Sequence, residues 1–293
     1  MQPAPRVPSA RARRAGQWLR AATVVALGLL LVPLTAALTA AEGRSPVGGT
    51  GNSPALAAPA PEAAPGAGTM TSGPTAAPVR HVVGLGDSVP AGSACACSDY
   101  VSLLAGSLGG KVTSTNLAVP GQTSSGLLAQ MSSPQVRGAL ADADVVVVTV
   151  GANDVEGTDP SDCPSTDDGA ACYSRELATL EQNLDRIAAG VGALTTRPGA
   201  RVLLTGYWNV FLDGSTARAR GAGYVQISDA VTRVVNAGIR SAAAKHGGVY
   251  VDLFTPFRGA DGSKDCTALL AADGDHPDAA GHALIARTLL AAL

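Results

Sequence analysis

The chain has 293 residues, 46% of them apolar, and a formal net charge of −2. That charge is split: residues 1–80 carry seven Arg against two Glu, whereas residues 81–293 carry fourteen Lys plus Arg against twenty-one Asp plus Glu. An acidic body with only 3% aromatic residues lacks the basic, base-stacking surface that nucleic acid requires, so that partner class is excluded.

The amino terminus opens on a positive run, Arg6, Arg11, Arg13, Arg14 and Arg20, followed by the uncharged "AATVVALGLLLVPLTAALTAA" from Ala21 to Ala41. Charge followed by an apolar block is the pattern of an export signal, and about 20 apolar residues can also span a bilayer. Pro33 and the small residues Ala37, Thr39 and Ala41 favour a cleavable signal over a retained anchor. Residues 1–41 are thus expected to send the chain out of the cell or hold it outside the membrane. Residues 42–79 are rich in Pro, Ala, Gly, Ser and Thr without periodicity, a composition that cannot offset its ordering entropy. They read as a disordered linker near the membrane or cell wall.

From His81 the pattern changes, and residues 80–293 read as one domain. "HVVGLGD" predicts a strand and Asp99 to Leu108 a helix. "KVTSTNLAV" predicts a second strand, and Ser124 to Leu140 predicts helix interrupted at Pro134. "DVVVVTVGAND" has the unbroken valine run of a strand buried on both faces. "SRELATLEQNLDRIAAGVGAL" spaces Leu177, Leu180, Leu184, Ile187 and Val191 as a helix. "RVLLTGYW" is a strand, Tyr224 to Lys245 a helix, "GVYVDLF" a strand and Ala279 to Leu290 a closing helix. Five strands alternating with helices predict an α/β fold with a parallel sheet covered on both faces.

Five cysteines in an exported chain predict disulfides. Cys163 and Cys172 flank a polar loop and are expected to staple it. Cys266 is expected to pair with Cys95 or Cys97, leaving one thiol over. Zinc is disfavoured, because one residue separates Cys95 from Cys97 and no histidine follows at zinc-finger spacing. No metal or other cofactor is expected.

In a parallel sheet, ligands gather where the carboxyl ends of the strands meet their loops. Those ends carry Gly86-Asp87-Ser88, Pro120-Gly121, Gly151-Ala152-Asn153-Asp154, Gly206-Tyr207-Trp208-Asn209, and then Asp273-Gly274-Asp275-His276-Pro277-Asp278. A serine hydroxyl becomes nucleophilic when a histidine oriented by a carboxylate removes its proton. Of the four histidines, His276 alone lies in a loop at this edge; His81 begins a strand, His246 ends a helix at the surface and His282 is inside the last helix. Asp273, three residues before His276, can fold back onto the imidazole through a turn relaxed by Gly274, and is preferred to Asp275 and Asp278. The Ser88 and Gly121 N–H groups and the Asn153 amide are candidate oxyanion donors. Asp87 and Asp154 are expected to brace their loops. Tyr207, Trp208 and Asn209 are candidate pocket-lining residues, with core packing the competing reading for Trp208.

In order, Gly86-Asp87-Ser88, Gly121, Gly151-x-Asn153-Asp154 and Asp273-x-x-His276 resemble the four motif regions of the SGNH (GDSL-type) hydrolases over residues 82–292, with Val89 standing where that pattern has leucine. The Gly-x-Ser-x-Gly elbow of the α/β-hydrolases is absent around Ser88. The resemblance implies a flavodoxin-like, three-layer α/β/α fold with a five-stranded parallel sheet and no metal. It implies Ser88 as nucleophile, His276 as base, Asp273 as its orienter, and Ser88, Gly121 and Asn153 as the oxyanion hole. The expected activity is that of a monomeric serine esterase or lipase on a small-molecule ester, lipid acyl or acetylated carbohydrate. The alternative is a non-catalytic cell-surface module that holds a glycan or lipid on the same fold.

Overall fold

A computed structural model describes residues 78–164 and 169–293. The expected export segment and linker lie outside the described residues. Among the described residues, no helix is long and apolar enough to cross a membrane.

Five strands form the sheet: β1 (His81–Gly86), β2 (Thr113–Asn116), β3 (Val145–Thr149), β4 (Arg201–Thr205) and β5 (Val249–Val251). Their order is β2-β1-β3-β4-β5 and every pairing is parallel, with Val82 opposite Val145 and Val145 opposite Arg201. This is the expected flavodoxin-like topology. The four valines and Thr149 of β3 are all buried, because the central strand has helices over both faces.

The long connections are helical: α1 (Tyr100–Ser107), α2 (Ser124–Gln130), α3 (Pro134–Ala141), α4 (Ser174–Leu194), α5 (Gly214–Arg220), α6 (Ala222–Lys245), α7 (Phe254–Arg258) and α8 (Ala279–Ala291). Several begin on a side chain that accepts orphan N–H groups. Asp99 accepts from Val101 and Ser102 before α1, Thr123 from Gly126 before α2, and Asp278 from Gly281 before α8. Ser133 caps α3 with Pro134 in its first turn, which is why the expected helix over 124–140 is two helices. In α4 the buried Leu180, Leu184, Ile187 and Val191 recur at spacings of three and four and face the interior. Helix α1 packs on α8, while α4 packs on α2 and α6, so the sheet lies between two helical layers. Burial of side chains such as Leu85, Leu104, Leu184 and Ile187, none more than 2% exposed, stabilises by about 1.5–3 kcal/mol each.

Cys163 and Cys172 form the expected disulfide. The remaining pairing departs from expectation: Cys95 bonds Cys97, and Cys266 is a free, buried thiol. The backbone that leads into the pair turns through positive φ at Gly92 and Ala94. Cys266 instead sits inside the fold beside Asp213, where burial and that carboxylate push its thiol up to about 12. The odd cysteine is therefore an interior packing residue rather than a bridge to the 95–97 turn.

Candidate active site

The chain leaves β1 to form β2 on one side and returns to form β3 on the other, so the switch point lies between β1 and β3. In an open parallel sheet the loops that diverge at such a point flank a crevice at the strand ends. Ser88 follows β1 and Asn153 follows β3, one on each side of that crevice.

The turn carrying Ser88 is fixed by backbone contact. Gly86 adopts φ +129°, and a Cβ there would lie 1.8 Å from the Thr149 carbonyl oxygen, so only glycine fits. Asp87 N–H donates to that carbonyl at 3.0 Å, tying the nucleophile turn to the end of β3. The Asp87 side chain turns inward and is fully buried. Its carboxylate accepts from Val89 N–H at 3.0 Å and from the Tyr207 hydroxyl. Burial pushes this carboxyl up to about 7, the hydrogen bonds from Tyr207 and Val89 oppose the rise, and the charges of Asp275 and His276 also act on it. The loop bearing His276 and Asp275 thus lies within electrostatic range of the turn that bears Ser88. Ser88 itself is half-buried, with Val89 packed in the interior behind it.

His276 and Asp273 meet as the sequence predicts. His276 Nδ1 donates to Asp273 Oδ2 at 2.8 Å, and the Asp275 and His276 N–H groups donate to Asp273 Oδ1 at 3.0 and 3.1 Å. Desolvation would raise the Asp273 carboxyl, but these three hydrogen bonds outweigh it and hold the group below its ordinary range. A carboxylate only accepts, so the bond fixes the proton on Nδ1 and leaves Nε2 free to take one. Asp275 is the poorer partner at 3.8 Å, and desolvation pushes it up to about 6 against the pull of the imidazole. The loop is held on both sides. Ala271 N–H donates to the His276 carbonyl, and Asp213 N–H to the Gly274 carbonyl at 2.7 Å. Gly274 takes φ +72° against Thr216, the left-handed conformation that lets Asp273 fold back.

Two of the candidate oxyanion donors, Gly121 and Asn153, lie on neighbouring loops. Gly121 is exposed at the end of the β2 loop, and Asn153 sits in a 3-10 turn, Ala152–Asp154. One Asn153 amide hydrogen goes to the Gln122 carbonyl at 3.0 Å, which docks the side chain beside Gly121 and leaves its second amide hydrogen over. Asp154 accepts from the Ser124 N–H at 2.8 Å and hydroxyl at 2.5 Å, and Asn183 donates to Ser124 and Ser125. Asp87 and Asp154 thus brace loops, as expected.

The pocket-lining expectation for Tyr207, Trp208 and Asn209 is not met. All three are buried, at 1%, 1% and 3% exposure. Trp208 stacks on Phe257, with ring centroids 4.4 Å apart, and Asn209 accepts from Phe211 N–H and Thr232. Tyr207 points under the site, donating to Asp87 and accepting from Ala152 N–H at 3.4 Å. It therefore links the nucleophile turn to the Asn153 turn, a role its place after a strand did not specify. A cavity of about 490 Å³ lies between α4 and α6, lined by Leu177, Leu180, Leu184, Val234 and Gly238 rather than by Ser88 or His276.

A model of the GDSL-like lipase/acylhydrolase family matches residues 85–284. No curated protein matches the sequence. Among solved structures, the chain is similar to phospholipase A1 from Streptomyces albidoflavus at 23% identity and TM-score 0.56, covering 73% of this chain and 100% of that one. It is similar to an extracellular lipase from Streptomyces rimosus at 25% identity and TM-score 0.55, with the same coverages. A lipase from a goat rumen metagenome has 16% identity and TM-score 0.57, covering 73% of this chain and 97% of its own.

Proposed function

The chain belongs to the GDSL-like lipase/acylhydrolase family and is an ester-hydrolysing enzyme, and we propose that it is an exported serine esterase working through an acyl-enzyme on Ser88. The observation that carries the mechanism is the 2.8 Å bond from His276 to Asp273, in a loop whose charge acts on Asp87, the residue before Ser88. A module that only held its ligand would need no imidazole with a fixed tautomer.

In this reading His276 Nε2 takes the Ser88 proton as Oγ attacks the ester carbonyl carbon, and Asp273 stabilises the imidazolium that forms. The carbonyl oxygen becomes an oxyanion held by the Ser88 and Gly121 N–H groups and the Asn153 amide. As the intermediate collapses, the C–O bond to the alcohol breaks and the alcohol leaves with the proton from His276. Water then attacks the acyl-enzyme through the same base, releasing the carboxylic acid and restoring Ser88. The substrate is an ester of lipid-acyl or acetylated-carbohydrate type. Likeness to a phospholipase and an extracellular lipase supports the lipid side. The basic-then-apolar amino terminus and the two disulfides support export.

The test is hydrolysis of a series of nitrophenyl esters by the purified chain and by Ser88→Ala, alongside labelling with a serine-reactive phosphonate. Ser88→Ala should lose at least about a thousandfold in kcat and all labelling. Equal rates in the two proteins would end the proposal.

A further inference from the structure

We propose that the dithiol form of Cys95 and Cys97 joins His282 to make a binding site for a thiophilic divalent cation of the zinc type. A ring nitrogen of His282 and the two Sγ atoms all lie within 4.8 Å of one another. His282 is fully buried in α8, and neither of its ring nitrogens has a hydrogen-bond partner among the described residues. A buried imidazole left without partners is costly, and such a group calls for an explanation. Here it faces two sulfurs, the donors that complete a coordination set with imidazole.

Several features fit a cation at this point. Four-coordinate zinc with Zn–S of about 2.3 Å and Zn–N of about 2.0 Å holds its donors roughly 3.5–3.8 Å apart. The sulfurs begin bonded and part on reduction, while the imidazole needs to approach by about 1.3 Å at most. Cys95 and Cys97 are half-exposed, which gives an ion an entry path and a water a fourth position. Burial holds the ring below its ordinary range and so neutral, as a ligand must be, with the charge of His276 acting the same way, while the carboxylates of Asp99 and Asp278 lend a field that favours a cation. A Cys95–Cys97 disulfide closes within one turn, whereas an ion would tie that turn to α8. The two segments follow Ser88 and His276 by a few residues each, so the ion would lock together the elements that flank the candidate site.

The disulfide takes two electrons and two protons from an external reductant. With a phosphine, water supplies the hydrogens to sulfur and its oxygen forms the phosphine oxide. Binding M²⁺ then releases the two thiol protons to solvent.

The experiment loads the phosphine-reduced full chain with Co²⁺ and then Zn²⁺. We expect one Co²⁺ per chain, with a sulfur-to-cobalt charge-transfer band that Zn²⁺ abolishes, and no band in the oxidised chain or in Cys95→Ser/Cys97→Ser. X-ray absorption of the Zn²⁺ form should give two sulfur neighbours and an imidazole nitrogen, and His282→Asn should weaken binding about tenfold or more. Replacing a buried histidine can unfold the chain, so mass mapping of alkylated cysteines in the reduced wild type supplies a second measurement. Zn²⁺ should protect Cys95 and Cys97 while leaving Cys163 and Cys172 reactive. The proposal is overturned by unprotected Cys95 and Cys97, by a cobalt band that persists without them, or by a zinc shell lacking imidazole.

Discussion

Asp87 offers a sharp test of the buried architecture under the site, through Asp87→Asn. The carboxyl is fully buried and pushed up to about 7, against an ordinary value of 3.8. Burial is the main cause, opposed by the hydrogen bonds from Tyr207 and Val89. A raised folded value means that, between about pH 4 and pH 7, the folded chain holds one proton that the unfolded chain has released. Stability at this position therefore falls as pH rises through that window, by about 1.4 kcal/mol per pH unit and about 4 kcal/mol in total. Asparagine has nearly the shape of the protonated acid and does not ionise. Urea unfolding of both proteins from pH 4 to pH 8 should give similar stabilities at the acid end. The variant should then gain steadily, up to about 4 kcal/mol as an upper bound, by pH 8. Asp275, also raised, titrates in both proteins and cancels to first order in the difference. Two curves parallel within about 0.5 kcal/mol would refute the reasoning, since a buried carboxyl held only by Tyr207 and Val89 cannot ionise without cost.

Gly86→Ala should fail to fold or lose more than about 3 kcal/mol in urea unfolding, because its Cβ would enter the Thr149 carbonyl; normal stability would mean that the nucleophile turn has another path. Asp273→Asn should lower kcat on nitrophenyl esters by about 10² to 10⁴, whereas Asp275→Asn should cost less than about tenfold, and the reverse order would reassign the orienter. Replacing Cys163 and Cys172 by serine should reduce stability by about 2–3 kcal/mol, read in urea, with esterase activity retained. Lost activity in that double variant would instead tie the stapled loop to the site.

How far the sequence could be read depended on whether a feature was local. The valine run of β3 and the periodicity of α4 declare themselves, because burial on both faces or on one stripe leaves a repeating pattern, and α4 spans the same Ser174–Leu194 that the periodicity predicts. The helices α5 and α7 went unread: seven residues capped by Asp213 and five containing Pro256 are too short to show a period. The Asp273–His276 pair was legible because three residues of spacing and a glycine define a turn. Tyr207 was misplaced because it meets Asp87 across 120 positions, and an aromatic after a strand looks the same whether it lines a cleft or supports one. The cysteines failed for a related reason. An odd count admits several pairings, and only the fold, which buries Cys266 away from the surface turn, leaves Cys95 to Cys97. No spacing rule could have set His282 beside that pair.

The polar groups buried under the strand ends explain how so open a rim keeps its geometry. The Tyr100 hydroxyl meets Thr149 Oγ1 at 2.5 Å, and Thr149 Oγ1 meets Thr205 Oγ1 at 2.6 Å, so α1, β3 and β4 are joined by one chain of hydroxyls. Thr149 also gives its carbonyl to Asp87 N–H, and the Asp87 carboxylate reaches Tyr207, which in turn receives Ala152 N–H. Each of these groups is costly to bury alone and is satisfied only when its neighbours stand at the right height. A strand that slipped by one residue would orphan several of them at once, a larger penalty than the loss of any single apolar contact. The network therefore sets the register of the strand ends, and the loops bearing Ser88 and Asn153 inherit their positions from it. That also accounts for keeping Asp87 ionisable in a place where an amide would be more stable at neutral pH: its carboxylate accepts from Val89 N–H in the turn and from Tyr207 beneath it, and so joins the nucleophile's backbone to the buried frame.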